Sequence, residues 1–141
     1  MSDKKLHLTI TTPLRTVYTN DIDQLTVTTS VGELTILPDH IPLITTLEIG
    51  QVMVKNDGHE VYYAIDGGIL EVRHNNKVVI LSDRSENASE IDIERAKEAL
   101  KRAEDIKNNS SDVDKVDYNK LERDIAKELN RVKLTEKNQR R

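Results

Sequence analysis

Phenylalanine, tryptophan and cysteine are all missing from this chain of 141 residues, which has only three prolines and four tyrosines. Without cysteine there is no disulfide framework, no thiolate metal site and no thiol redox chemistry, and a reducing compartment is permitted. Without Phe and Trp, the core has to be built from Ile, Leu and Val with a few Tyr. No run of about eighteen consecutive apolar residues exists to span a bilayer, and the opening MSDKKLHLTITT lacks the long apolar centre of a signal peptide. If the protein works at a membrane, another subunit is expected to hold it there, with no direct insertion. Charge is slightly acidic, 21 Lys and Arg against 25 Asp and Glu for a net of −4, and no basic stripe is present. Nucleic acid is therefore not an expected partner, since binding a phosphate backbone relies on clustered cations.

The usual enzyme signatures are missing too. There is no Gly-x-x-x-x-Gly-Lys-Ser/Thr loop to cradle a hydrolysed nucleotide and no Gly-x-Ser-x-Gly elbow. His7, His40, His59 and His74 are scattered without metal-ligand spacing, so no metal site is expected. Acidic pairs such as Asp21 with Asp23, or Glu104 with Asp105, sit where solvated surface charge is the commoner meaning. No residue recommends itself as catalytic.

What the chain does contain changes character near residue 84. Up to Asp83 there are 6 Lys/Arg and 11 Asp/Glu, a net of −5; from Arg84 onward there are 15 and 14, a net of +1 at much higher charge density. The shift predicts two domains, 1–85 and 86–141. In the first, Leu6, Leu8 and Ile10 alternate with polar residues. Apolar runs follow at Val52 to Val54, Val61 to Ile65, Ile69 to Val72 and Val78 to Leu81, with Asp57-Gly58, Gly67-Gly68 and Asn75-Asn76 as turn signals. This pattern predicts a β-sandwich or flattened barrel. The Gly67-Gly68 pair can also serve a bulge or a close approach of backbone.

In the second part the period becomes helical. Ser89 followed by Asp92 resembles a capping box, and Ala96, Ala99, Leu100, Ala103 and Ile106 form one stripe. The tract Asn108 to Asp112 is expected to break this helix, and Asp114 and Asp117 to cap a second one carrying Tyr118, Leu121, Ile125, Leu129 and Val132. The product is an antiparallel αα-hairpin whose alanine-rich seam buries little area, so its packing is held only modestly.

Within Glu86 to Arg102 the motif Ile-Asp-x-x-Arg-Ala, Ile91 to Ala96, opens the first helix. Asp92, Arg95 and Arg102 share one helical face by spacing, and two guanidinium groups there could converge on an anion such as a phosphate chain. On spacing alone, a solvated face with weak intrahelical ion pairs is the commoner arrangement. Both readings stand at this point.

Several motifs in order resemble one family. They are Thr12-Pro13 with Val17-Tyr18, Gly32 to Leu43 (GELTILPDHIPL), Ala64 to Val72 (AIDGGILEV), and the Ile91 to Ala96 motif. Together, from Leu6 to about Glu136, the chain resembles the epsilon subunits of bacterial F-type ATP synthases. The resemblance implies a non-catalytic rotor subunit that requires no cofactor. Its β-domain would join the gamma subunit to the c-ring of the membrane sector, with Glu33 and His40 in the loop facing that ring. Its hairpin would restrain ATP hydrolysis, running in an extended state along gamma toward the alpha and beta subunits and folding back onto the sandwich when ATP binds. For the ATP site the resemblance carries over to Glu86, Ile91, Asp92, Arg95, Ala96, Arg102, Lys127 and Arg131, and leaves the role of Mg²⁺ open. Lys127 departs from the arginine of ATP-binding members and supplies charge without a bidentate fork. The implied location is peripheral, on the cytoplasmic face of the bacterial plasma membrane. A static assembly module without a nucleotide site is the alternative, and a free-standing nucleotide sensor a third.

Overall fold

The computed structural model describes residues 4–109 and 115–139, the side chains of 115–117 excepted. The chain forms two compact units, divided between Asn87 and Ala88.

The first unit is an eight-stranded β-structure. Its strands are β1 (Leu6–Thr11), β2 (Thr16–Ile22), β3 (Gln24–Thr29), β4 (Gly32–Ile36), β5 (Leu43–Asn56), β6 (His59–Val72), β7 (Lys77–Leu81) and β8 (Ser85–Asn87). They are ordered β2-β1-β7-β6-β5-β3-β4, with β8 on β6. All pairings are antiparallel except β1 with β7. The two 14-residue strands make the sandwich. The later part of β5 pairs with β3, the early part of β6 pairs with β8, and the later part of β6 pairs with β7. Inward residues alternate with outward ones, as in β1 where Leu6, Leu8 and Ile10 have no exposed surface. The core is Ile, Leu and Val with Tyr63, whose ring meets Tyr18 edge-on at 5.7 Å.

Asp57-Gly58 is the expected tight hairpin, with φ of 51° and 81° joining β5 to β6. Gly67-Gly68 is not a turn but lies within β6, where the strand leaves β8 and joins β7. Gly68 has φ 147°, and a Cβ there would collide with the Leu81 carbonyl oxygen. Close approach of backbone therefore fixes the glycine. The expected boundary after Ser85 falls inside β8, because Ser85, Glu86 and Asn87 still pair with Ile65, Ala64 and Tyr63.

The second unit holds a 3₁₀ turn at Ala88–Glu90 followed by α1 (Ile93–Asn109) and α2 (Lys115–Gln139). The 3₁₀ turn packs against α2. Lys97 lies 3.8 Å from Glu136, and Lys107 lies 3.4 Å from Glu122 with its ammonium 5.5 Å from the Tyr118 ring centre. These pairs make the helices antiparallel, as expected of the hairpin. Asn108 and Asn109 continue α1 rather than breaking it. Ser110 to Asp112 and the cap expected at Asp114 lie outside the described residues, as does the side chain of Asp117. Ala96, Val132, Leu134 and Thr135 are buried, whereas Ile106, Tyr118 and Leu129 are exposed. The expected stripe is thus only partly covered.

Candidate functional site

The motif at the start of α1 resolves into distinct local duties. The first turn of a helix leaves backbone N–H groups without intrahelical partners. Asp92 answers two of them: its Oδ1 accepts from the N–H of Glu94 at 3.1 Å and of Arg95 at 3.2 Å. Asp92 is therefore the N-cap, a role the sequence pattern had pointed to Ser89 for. Its other oxygen lies 4.0 Å from Arg95 Nε, and the Arg95 side chain is 85% exposed. So long and solvated a pair is worth little. Ile91 is nearly buried and Ala96 has no exposed surface, so both act by packing.

Helix register sorts the cations. Lys97 stands opposite Glu136 and Lys107 opposite Glu122. Arg102, midway between those lysines, is level with about Leu129. At 1.5 Å per residue it is within about 3 Å of the axial level of both Lys127 and Arg131. Arg95 is a further seven residues along, about 10 Å up the axis, near the level of Glu136. Arg102, Lys127 and Arg131 are thus brought to one level of the hairpin, and Arg95 is not.

Arg102 is exposed and Lys127 half-buried. Arg131 is different. Its Nη1 donates to Glu128 Oε2 at 2.7 Å, and both side chains are only 16% exposed. Family likeness does not point to Glu128, although its place three residues ahead of an arginine on a helix is a signal for such a pair. Glu86 belongs to the first unit, on β8, where its carboxylate lies 3.3 Å from Arg84 Nε. The same Arg84 nitrogen is 2.9 Å from Asp66, whose side chain is almost buried.

The first unit has its own candidate surfaces. Glu33 is exposed at the start of β4, and His40 follows the far end of that strand, in the loop before β5. The two therefore do not share one loop, since Glu33 is on β4 itself and the rest of that strand lies between them. The His40 backbone N–H donates to the Leu37 carbonyl at 3.2 Å, and its Nδ1 is 2.7 Å from the Ile41 carbonyl, which can only accept. Asp39, with φ 68°, is pinned: its N–H donates to Asn76 Oδ1 and its carboxylate binds Lys4 at 2.8 Å. The Lys4 ammonium, and then the Asn76 amide, hold its carboxyl below the usual carboxylate range. This fixed loop leaves Leu37 and Ile41 exposed.

Exposed apolar residues also stand on the sheet, interspersed with Thr46 and Glu71. Register places Ile44 opposite Glu71 on the β5–β6 ladder, and Ile69 opposite both Thr46 and Leu81. With a side-chain period of two, Ile44, Ile69 and Leu81 share one outward face. They are 72%, 45% and 49% exposed. Next to this face, Thr12-Pro13, Asp66 to Ile69 and Leu81 to Asp83 line a cleft of about 430 Å³. Two of the motif segments, distant in sequence, thereby meet. Among the described residues no group of His, Cys, Asp and Glu has the arrangement to hold a metal ion.

Comparison with known proteins matches both units. The ATP synthase delta/epsilon chain β-sandwich domain matches residues 5–88, and the long α-helix domain of the same family matches residues 89–136. The ATP synthase epsilon chain of Desulforamulus reducens is 38% identical over 133 residues, covering 94% of this chain and 98% of that one. That of Geotalea daltonii is 38% identical over 138 residues, covering 98% and 99%. That of Bacillus cereus reaches 45% over 101 residues, covering 72% and 75%. Among solved structures, a chain of the Euglena gracilis mitochondrial ATP synthase, solved as OSCP/F1/c-ring, aligns with a TM-score of 0.76 at 23% identity over 92% of this chain and 82% of its own. A chain of the Tetrahymena thermophila central stalk and c-ring aligns with a TM-score of 0.61 at 18% identity over 98% of each. At such identities the structural likeness speaks for the fold.

Proposed function

The chain belongs to the ATP synthase delta/epsilon family, and from that premise we propose that it is a non-catalytic central-stalk subunit whose two units divide coupling from regulation. The β-unit joins gamma to the c-ring. The outward face of Ile44, Ile69 and Leu81 takes gamma, and the pinned loop with His40, together with Glu33, meets the ring. The observation that carries this reading is that face: an exposed apolar surface on a rigid sheet is what a subunit held by protein partners requires. No described helix is long and apolar enough to cross a membrane, and we assign the protein a peripheral place at the cytoplasmic face of the bacterial plasma membrane. Co-purification tests the assignment. Ile69→Glu should abolish capture by gamma while the purified variant keeps its melting temperature; undiminished capture would remove gamma from this face.

The hairpin is the regulatory element in this proposal. Extended along gamma toward the alpha and beta subunits, it blocks rotation and wasteful hydrolysis; folded back, it releases them. ATP binding to the folded-back state, through Arg102, Lys127 and Arg131 with Arg95 at the margin, shifts the balance by the linkage that stabilises whichever state a ligand prefers. Support comes from the register that gathers three cations at one level. A second reading, a static strut with no nucleotide site, draws on the cap at Asp92 and the Arg131–Glu128 pair, both of which a purely structural helix would display. Calorimetric titration of the purified chain with ATP, with and without Mg²⁺, separates the two. The regulatory reading expects saturable heat that Arg102→Ala and Arg131→Ala abolish or weaken at least about tenfold. No heat at millimolar ATP leaves the strut.

A further inference from the structure

We propose that Glu128 is an internal counter-anion that occupies Arg131 and thereby sets how tightly the hairpin takes a nucleoside triphosphate. This rests on the nucleotide reading above and supplies its control. The Arg131–Glu128 ion pair of the hairpin is short and sheltered, at 2.7 Å with both side chains 16% exposed. Three further pairs of the hairpin are longer and wetter. Lys107–Glu122 spans 3.4 Å at 34% and 48% exposure, Lys97–Glu136 3.8 Å at 49% and 42%, and Arg95–Asp92 4.0 Å at 85% and 60%. A short, charge-assisted contact shielded from water is the kind that persists. Both partners sit on α2 three residues apart, so helical geometry alone brings them within reach of each other.

A phosphate approaching the level of Arg102 and Arg131 therefore meets a guanidinium already neutralised through Nη1. It has to displace the carboxylate, or else share the cation beside a like charge. Lys127, adjacent to Glu128 in sequence, cannot compensate with a two-pronged grip, because an ammonium is a point charge. The strength of nucleotide binding is then a competition between Glu128 and phosphate for one arginine. Ligands gain from its removal in proportion to their phosphate charge.

The test is calorimetric titration of the full-length chain and of its Glu128→Gln variant with ATP, inorganic tripolyphosphate and adenosine. Glutamine keeps the shape and removes the charge. Glu128→Ala gives a second variant, and Glu136→Gln a control carboxylate on the same helix that faces Lys97 instead. Helical circular dichroism establishes that each variant folds. Glu128→Gln and Glu128→Ala should tighten ATP and tripolyphosphate by about tenfold or more, with adenosine unchanged and Glu136→Gln within about twofold of the parent. Equal affinities for the parent and both Glu128 variants would overturn the gating role and leave the nucleotide site standing. A gain from Glu136→Gln as large as that from Glu128→Gln would reduce the effect to general electrostatics and overturn it as well. If neither the parent nor the Glu128 variants take up ATP at millimolar concentration, the nucleotide reading itself fails, and the gate with it.

Discussion

The β-unit, with ten Leu, nine Ile and one Ala up to Asn87, and the hairpin, with four Leu, four Ile and five Ala from Ala88 onward, differ in their apolar side chains and in how they hold them. The largest fully buried residues, among them Leu6, Ile22, Leu25, Ile65, Leu70 and Ile80, all lie in the β-unit. On α1 the buried residue is Ala96, and Ile106, Tyr118 and Leu129 of the hairpin remain substantially open. Fully burying an Ile or Leu contributes about 1.5–3 kcal/mol, whereas an alanine methyl adds only a fraction of that. One region is thus a scaffold fixed by its core. The other has few buried apolar side chains, among them Ile91, Val132 and Leu134, and adds a cap, a 3₁₀ turn and some ion pairs between helices, each of small energy. The proposed division of coupling from regulation draws on that asymmetry, since only a weakly held element can be moved by a binding energy of a few kcal/mol.

Core truncation should break the comparison most visibly. Leu70→Ala, at a site with no exposed surface, is expected to cost about 2–5 kcal/mol in urea unfolding, and Leu129→Ala less than about 1 kcal/mol. Equal costs would contradict the contrast. Next comes the cap: Asp92→Ala should lower hairpin stability by about 1 kcal/mol, while Arg95→Ala, losing only a 4.0 Å solvated contact, should change it by less than about 0.5 kcal/mol, both read from helical circular dichroism during melting.

A smaller effect follows from pH. The Lys5 ammonium at 2.6 Å, and then the backbone N–H of Asp57, hold the Asp23 carboxyl below its ordinary value of 3.8. A carboxyl depressed in the folded state stabilises above its unfolded value, and that contribution is lost as pH falls from about 3.8 through the lower folded value. The melting temperature of the β-unit should decline over that acid range, and Asp23→Asn should flatten part of the decline. An unchanged profile in the variant would show that the Lys5 clamp is not coupled to stability. Least of all should removal of the hairpin matter to the β-unit: a chain ending at Asn87 should melt at nearly the same temperature, whereas ending it at Ser82 removes β8 from β6 and should not be neutral.

Much of this asymmetry could be read in the residues themselves. The alternation of Leu6, Leu8 and Ile10, the Asp57-Gly58 hairpin and the onset of α1 beside Asp92 are local signals, and local signals survive in one dimension. The strands β2, β3, β4 and the first half of β5 were not legible, because threonines occupy their outward face and, at Thr29, an inward one, blurring the apolar-polar contrast. Gly67-Gly68 resembled a turn since the reason for glycine is the Leu81 carbonyl, a neighbour on another strand. Helical spacing alone puts Arg95 and Arg102 on one face and family likeness adds Lys127 and Arg131, but which of them share a level depends on the register between α1 and α2. Separation of Glu33 from His40 likewise needed the extent of β4. Glu128 was visible in the spacing, and only its short, sheltered contact with Arg131 sets it apart from the many other acidic residues of the hairpin.

The division of labour is tested most directly by ATP hydrolysis in the reconstituted synthase, comparing the full chain with one ending at Asn87. The shortened chain should assemble with gamma as well as the full chain, and the complex carrying it should hydrolyse ATP several-fold faster at low ATP, with the difference shrinking as ATP rises. Identical hydrolysis at every ATP concentration, with assembly intact, would contradict the account and leave the hairpin a passive strut.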